Sequence, residues 1–202
     1  RRLQQLETAA RRAADLTNQM LVYAGKGTGT RAPVLLPDLV DEMSELLQTV
    51  ISKRARLSTS HQPDQGPVEA DPSQLRQVVM NLLTNASDAL GNQDGQISLR
   101  TGQVRLGAAQ VEALRFSPGP VAGDYAFVEV QDDGCGMTEE FVRERLFKPF
   151  QSTKANGMGI GAYESFRYIQ DLGGRIEVIS EPGRGSLFRL VFPQQTAAAA
   201  VA

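Results

Sequence analysis

PSQLRQVVMNLLTNASDAL, Pro72 to Leu90, carries the strongest pattern in the chain. Leu75, Val78, Val79, Leu82, Leu83, Ala86 and Leu90 recur at helical spacing and make one apolar face. Gln77, Asn81, Asn85 and Asp88 share a polar stripe away from it. Asp71 immediately before Pro72 is an N-cap followed by the residue best suited to a first helical turn. The stripe has two readings. It is an ordinary solvent face, or it is a ligand surface: asparagine is a poor helix former, and Glu, Lys or Arg would serve a wet surface better. A carboxamide oxygen can ligate a hard cation such as Mg²⁺, which binds phosphate at the same time.

Three further stretches carry candidate chemistry. QDDGCGM, Gln131 to Met137, follows the strand-like YAFVEV and has the pattern DxGxG in Asp132, Gly134 and Gly136. This is an ordinary turn, or a carboxylate that accepts from the exocyclic amine of a base while glycines let a flat ring approach. NGMGIG sets Gly157, Gly159 and Gly161 directly before an amphipathic run, which brings backbone amides to the positive end of a helix where phosphate can be held. Neither G-x-x-x-x-G-K-[ST] nor a strand-linked G-x-G-x-x-G is present. In LFKPFQSTKANG, Phe147 and Phe150 either anchor a lid or fill the core, and Lys154 either reaches a terminal phosphate or lies on the surface.

Around these stretches, helices and strands interleave. An opening seam of Leu3, Leu6, Ala10, Ala13, Thr17, Met20 and Ala24 predicts a bundle helix that needs a partner helix, ended by the linker GKGTGTRAP. A helix is expected from Pro37 to about Lys53, then a strand over RLSTSHQ and a turn-rich QPDQGPVEADP. QISLRTGQV and YAFVEVQ alternate as strands, with a long connection between them and a short helix near Glu139 to Leu146 after them. RIEVIS and SLFRLVFP, joined by EPGRG, predict a closing hairpin and hence a mixed sheet covered by helices on one face.

Taken in order, these stretches resemble the ATP-binding catalytic domain of sensor histidine kinases, in the superfamily shared with DNA gyrase, mismatch-repair ATPases and a heat-shock chaperone. NLLTNASDAL resembles the N box, DDGCGM the first glycine box, LFKPFQSTK the F box, GMGIG the second glycine box and EPGRGSLFRLVFP the last. The resemblance runs from about Val34 to Pro193. It implies a two-layer α/β sandwich with a mixed β-sheet, the Bergerat or histidine-kinase-like ATPase fold, preceded by a long N-terminal helix. It divides the chain into a partial dimerisation hairpin with linker over 1–30, a catalytic domain over 31–195 and a tail over 196–202. ATP and Mg²⁺ are its implied cofactors. It assigns Asn85 to Mg²⁺, Asn81 to the phosphate side, Asp132 to the adenine amine, and Gly134 and Gly136 to the ring. Lys154, Gly157, Gly159 and Gly161 would face the phosphates, with Asp88, Phe147, Phe150, Met158 and Ile160 lining the nucleotide. Gly183 and Gly185 serve the last turn.

Asn81 bears on the reaction. Hydrolysing members of the superfamily typically carry a water-activating glutamate there, and an amide cannot act as a general base. The resemblance therefore implies transfer of the γ-phosphoryl group to a histidine on a first hairpin helix that is not in this sequence, and onward to a response regulator receiver domain. The N-terminal helix implies a homodimer. His61, the single histidine, is expected at the solvated surface. A nucleotide-responsive interaction module is the alternative, motivated by the short segment between Phe150 and Gly157; steady ATP hydrolysis is disfavoured by Asn81.

Composition excludes several classes. In 202 residues, 21 Lys and Arg against 23 Asp and Glu give a formal charge of -2, so no global field favours nucleic acid or an anionic membrane. One cysteine, Cys135, allows no internal disulfide framework and fits a reducing, cytoplasmic setting. No apolar run reaches the ~20 residues of a membrane helix, though the parent of such a fragment can be membrane-anchored.

Overall fold

The computed structural model describes residues 30–43, 47–48, 51–107, 122–151 and 159–194. The expected N-terminal helix, the long connection near 108–121 and the tail lie outside these residues. The chain divides into two compact units, Arg1–Arg31 and Ala32–Ala202.

The elements of the second unit, in order, are β1 (Ala32–Val34), α1 (Leu36–Glu42), β2 (Ala55–His61), β3 (Val68–Ala70), α2 (Pro72–Leu90), β4 (Gly95–Leu106), β5 (Gly123–Asp132), α3 (Glu139–Glu144), α4 (Gly161–Asp171), β6 (Arg175–Glu181) and β7 (Gly185–Pro193). α1 ends at Glu42 with Met43 as its C-cap; the Leu47 amide donates to Met43 O at 2.9 Å and the Ile51 amide to Leu47 O at 3.3 Å, and residues 44–46 and 49–50 of the helix expected to about Lys53 lie outside the described residues. Five strands form one sheet in the order β2-β4-β5-β7-β6. β2 runs parallel to β4, and every other pairing in it is antiparallel, so the sheet is mixed.

α2 forms where its sequence places it. The Asp71 carboxylate accepts from the Ser73 amide at 2.8 Å, Pro72 occupies the first turn, and Gly91 closes the helix with φ 60. Its apolar face is buried as a unit, from Leu75 and Val79 to Leu83, against Ile97, Leu99, Val128, Val130 and Leu190 of the sheet. Each fully buried Leu or Val contributes roughly 1.5–3 kcal/mol relative to exposure, which makes α2 the central beam of the fold. Leu36, Leu39 and Val40 of α1 and Ile169 of α4 join the same core. The sheet residues of this core all belong to one face. On the other face Glu129, 2% exposed, accepts from Arg189 Nε at 2.8 Å and pairs with Arg100 at 3.3 Å. Arg189 also pairs with Glu177 at 2.9 Å and lies over the Phe127 ring.

Two expectations are corrected. The linker residues before Leu35 and the turn-rich run before Asp71 contain strands, β1 and β3, which pair antiparallel with Val34 opposite Val68. At three residues each they are too short to show alternation, and only their long-range pairing defines them. His61 is half-buried, not solvated. The parallel register sets it beside Thr101, and its Nδ1 lies 2.8 Å from Thr101 Oγ1 while Nε2 lies 3.2 Å from Asp41 Oδ1.

Candidate functional site

The polar stripe of α2 is not a plain solvent face. Gln77, Asn81 and Asn85 are half-buried, and only Asp88 is exposed. The Asn81 carboxamide is turned toward α4: its Nδ2 donates to Ser165 Oγ at 3.3 Å and to the Gly161 carbonyl at 3.5 Å, while its Oδ1 accepts from Gln77 Nε2 at 3.1 Å. Asn81 thus stands directly against the last glycine of the GMGIG run.

At the other end of the stripe, β5 delivers Asp132, 5% exposed, into a tight loop. Its Oδ1 accepts from the Gly134 amide at 2.9 Å. Burial pushes this carboxyl above the usual range; the Gly134 and Ser186 amides act in the opposite direction, and neighbouring Asp133 adds to the rise. A buried acceptor at a strand end, kept costly to ionise, gains by receiving a further donor.

Packing alone accounts for the glycines of this loop. A β-carbon on Gly134 would lie 2.6 Å from the Ala89 carbonyl of α2, and one on Gly136, at φ 63, would overlap the Glu181 carbonyl. The Cys135 amide donates to Ala89 O at 2.9 Å, and the Gly183 amide donates to Cys135 O at 2.8 Å. The loop is therefore fastened between the last turn of α2 and the β6–β7 turn. Gly183 takes φ 76 in that turn, and Gly185, φ 91, presses on the backbone of Asp132.

Of the remaining candidates, Phe147 is half-buried and stacks on Phe166 with centroids 4.8 Å apart. Phe150 does not enter the core: it is 75% exposed with φ 62, and its amide donates to Gly159 O at 3.1 Å. Gly159 takes φ 65 against the backbone of Gln151. Ile160 is the N-cap residue of α4, no side chain caps that helix, and Gly161 is its first residue. Lys154, Gly157 and Met158 lie outside the described residues.

The structure thus strings three candidate pieces along α2: Asn81 with Gly161, Asn85 one turn on, and Ala89 with the Asp132 loop. Residues 81 and 89 are about 12 Å apart on a helix, the scale of an extended nucleoside triphosphate. Two polar residues escape the sequence reading. Ser165 and Tyr168 lie in an amphipathic helix whose apolar residues draw attention, yet both make bonds to α2 or its cap. Their spacing from Gly161, four and seven residues, is the signal that marks them as one face.

Residues 70–196 match the family model described as histidine kinase-, DNA gyrase B-, and HSP90-like ATPase. The chain is 37% identical over 187 residues to the sensor kinase CckA of Brucella abortus (strain 2308), covering 92% of this chain and 19% of that protein. It is 32% identical to the sensory histidine kinase/phosphatase NtrB of Rhizobium leguminosarum bv. phaseoli, covering 90% of this chain and 46% of that one. It therefore spans less than half the length of these relatives. Among solved structures, full-length ShkA in complex with AMPPNP matches with a TM-score of 0.63 at 23% identity over 84% of this chain and 32% of that one. The mycobacterial sensor histidine kinase MprB matches with a TM-score of 0.61 at 20% identity over 82% of this chain and 99% of that chain. At these identities the structural matches speak for the fold.

Proposed function

This chain belongs to the histidine kinase-, DNA gyrase B-, and HSP90-like ATPase family, and from that premise we propose that it is the ATP-binding catalytic portion of a two-component sensor histidine kinase. The observation that carries the reading is the placing of Asn81, Asn85 and the Asp132 loop along one helix, with Asn81 against the glycine-led start of α4.

In this reading Asp132, raised in pKa by burial, accepts from the adenine amine and fixes the base. Asn85 offers a carboxamide oxygen to Mg²⁺, a donor type that suits a hard cation shared with phosphate. The start of α4 would offer its positive dipole end to the phosphates, and Lys154 is assigned a phosphate-facing charge by the family resemblance alone. ATP and its metal supply the transferable group and neutralise the charge that develops on it. Asn81 is already hydrogen-bonded through both carboxamide atoms and has no basic group, so nothing at its position activates water. The phosphoryl group passes instead to a histidine of the dimerisation hairpin: an N–P bond forms, the bond to the bridging oxygen breaks, and ADP leaves. A receiver domain then takes the phosphoryl group. The N-terminal segment 1–30 pairs with its copy in a homodimer, and the site works in the cytoplasm. None of the described helices is long and apolar enough to cross a membrane.

The test is phosphorylation in trans. This chain, mixed with Mg-ATP labelled at the γ-phosphate and a hairpin carrying the acceptor histidine from the parent kinase, should label the hairpin in acid-labile, alkali-stable form. ATP binding with no label on a correctly paired hairpin would favour the nucleotide-responsive module instead.

A further inference from the structure

We propose that Ser165 and Tyr168 are positioning residues that set the first turn of α4 against α2, and so fix the phosphate-facing end of the site. This inference rests on the nucleotide-binding role proposed above.

Gly161, Ser165 and Tyr168 share one face of α4. Ser165 is 3% exposed, and its hydroxyl oxygen accepts a hydrogen bond from Asn81 Nδ2 at 3.3 Å. Gln77 holds the other end of the same carboxamide at 3.1 Å, so Asn81 is aligned from two sides. Farther along α4, the Tyr168 hydroxyl accepts from the Asp71 amide at 2.8 Å and donates to the Asp71 carbonyl at 3.2 Å. Asp71 is the N-cap of α2, so a single phenol bonds both backbone groups of the residue that starts the helix bearing Asn81 and Asn85.

Two features make these bonds positional. Hydroxyls placed among core side chains contribute little net stability and are costly when unpaired, so an apolar residue would pack at least as well in either place. In addition, α4 lacks the usual device for fixing a helix start: Ile160 is in helical conformation and no side chain caps the first turn. The lateral bonds from Ser165 and Tyr168 take over that task. The Ser165 bond acts one turn from the α4 start beside Asn81, and the Tyr168 bonds hold the far part of the same helix against the start of α2, while the Asp132 loop is held separately through Ala89 and Gly183. Loosening α4 should therefore weaken the grip on phosphates and leave the grip on the base.

The full chain and its variants Tyr168→Phe and Ser165→Ala would be titrated with Mg-ATP and with adenosine, and their thermal midpoints recorded. Tyr168→Phe removes two bonds to Asp71 and Ser165→Ala the one from Asn81; each variant should bind Mg-ATP roughly fivefold to tenfold more weakly, the scale of a net hydrogen-bond contribution, with adenosine affinity changed less than about twofold. Unchanged Mg-ATP affinity in both folded variants would overturn the inference. So would parallel losses for Mg-ATP and adenosine that follow the fall in midpoint, since that pattern marks a purely structural role. No binding of Mg-ATP by the unaltered chain would instead overturn the proposed function, and this inference with it.

Discussion

Gly134 rests on the last turn of α2 so closely that a β-carbon there would lie 2.6 Å from both the carbonyl carbon and the oxygen of Ala89. Backbone atoms inside a helix cannot step aside, so Gly134→Ala must move either the loop or the helix. The expected cost is about 1–3 kcal/mol in denaturant unfolding. Gly183→Ala meets nothing within 4 Å and carries only the penalty of φ 76, about 1–2 kcal/mol. If the two differ in function, Gly134→Ala should weaken nucleotide binding and Gly183→Ala should leave it nearly intact.

Asp132 should impose a pH dependence of definite sign. Burial raises its carboxyl above the unfolded value, so between those two values the native state holds more protons than the unfolded one. Its contribution to stability is therefore greatest below the unfolded value near 4 and falls as pH rises through the raised folded value. Asp132→Asn removes this term. Thermal scans should show the Asn variant gaining on the wild type as pH rises from acid to neutral, while its discrimination of ATP from GTP declines. A constant difference in midpoint across that range would contradict the assignment.

Core and ligand roles separate along α2. Leu83, fully buried, should cost about 2–5 kcal/mol on truncation to alanine. Asn85→Ala should change stability by no more than about 1 kcal/mol, as befits a half-buried side chain off the core face. It should nonetheless abolish the gain in ATP affinity that Mg²⁺ provides, read by titration with and without the metal.

On the opposite sheet face, Glu129 is 2% exposed and depends on Arg189, itself 36% exposed. Arg189→Ala leaves the buried carboxylate with Arg100, at 3.3 Å, as its remaining ionic partner and should destabilise by about 1–3 kcal/mol, less than a full buried pair because that partner remains and Arg189 is partly wet. Replacing Arg189 with Met and Glu129 with Leu together should recover much of that loss, and nucleotide binding should not respond to either change. Chemical denaturation of the single and double variants checks it.

Much of this architecture is legible where signals are local. The α2 boundaries follow from Asp71, Pro72 and Gly91 because capping chemistry acts within one turn. The β6–β7 hairpin follows from EPGRG because the turn residues dictate it. What escapes reading is set by distant partners. β1 and β3 exist only through each other, and His61 is drawn in by Thr101, forty residues away. Gly134 and Gly136 suggest room for a ring, and the fold adds a second reason that the sequence does not show: a β-carbon on either would meet Ala89 or Glu181. For the site, the N-box stripe and Asp132 can be picked from the sequence by residue type, but the orientation of the Asn81 carboxamide depends on Ser165, eighty-four residues on.

In the proposed function, α2 joins an adenine-reading carboxylate, Asp132, held at its last turn, to a metal-binding carboxamide, Asn85. Calorimetric titration of this chain with ATP, with and without Mg²⁺, alongside Asp132→Ala and Asn85→Ala, tests it most directly. The account predicts Mg²⁺-strengthened binding by the unaltered chain, loss of nearly all binding in Asp132→Ala, and loss of only the Mg²⁺-dependent part in Asn85→Ala. Binding that survives both substitutions unchanged would contradict it.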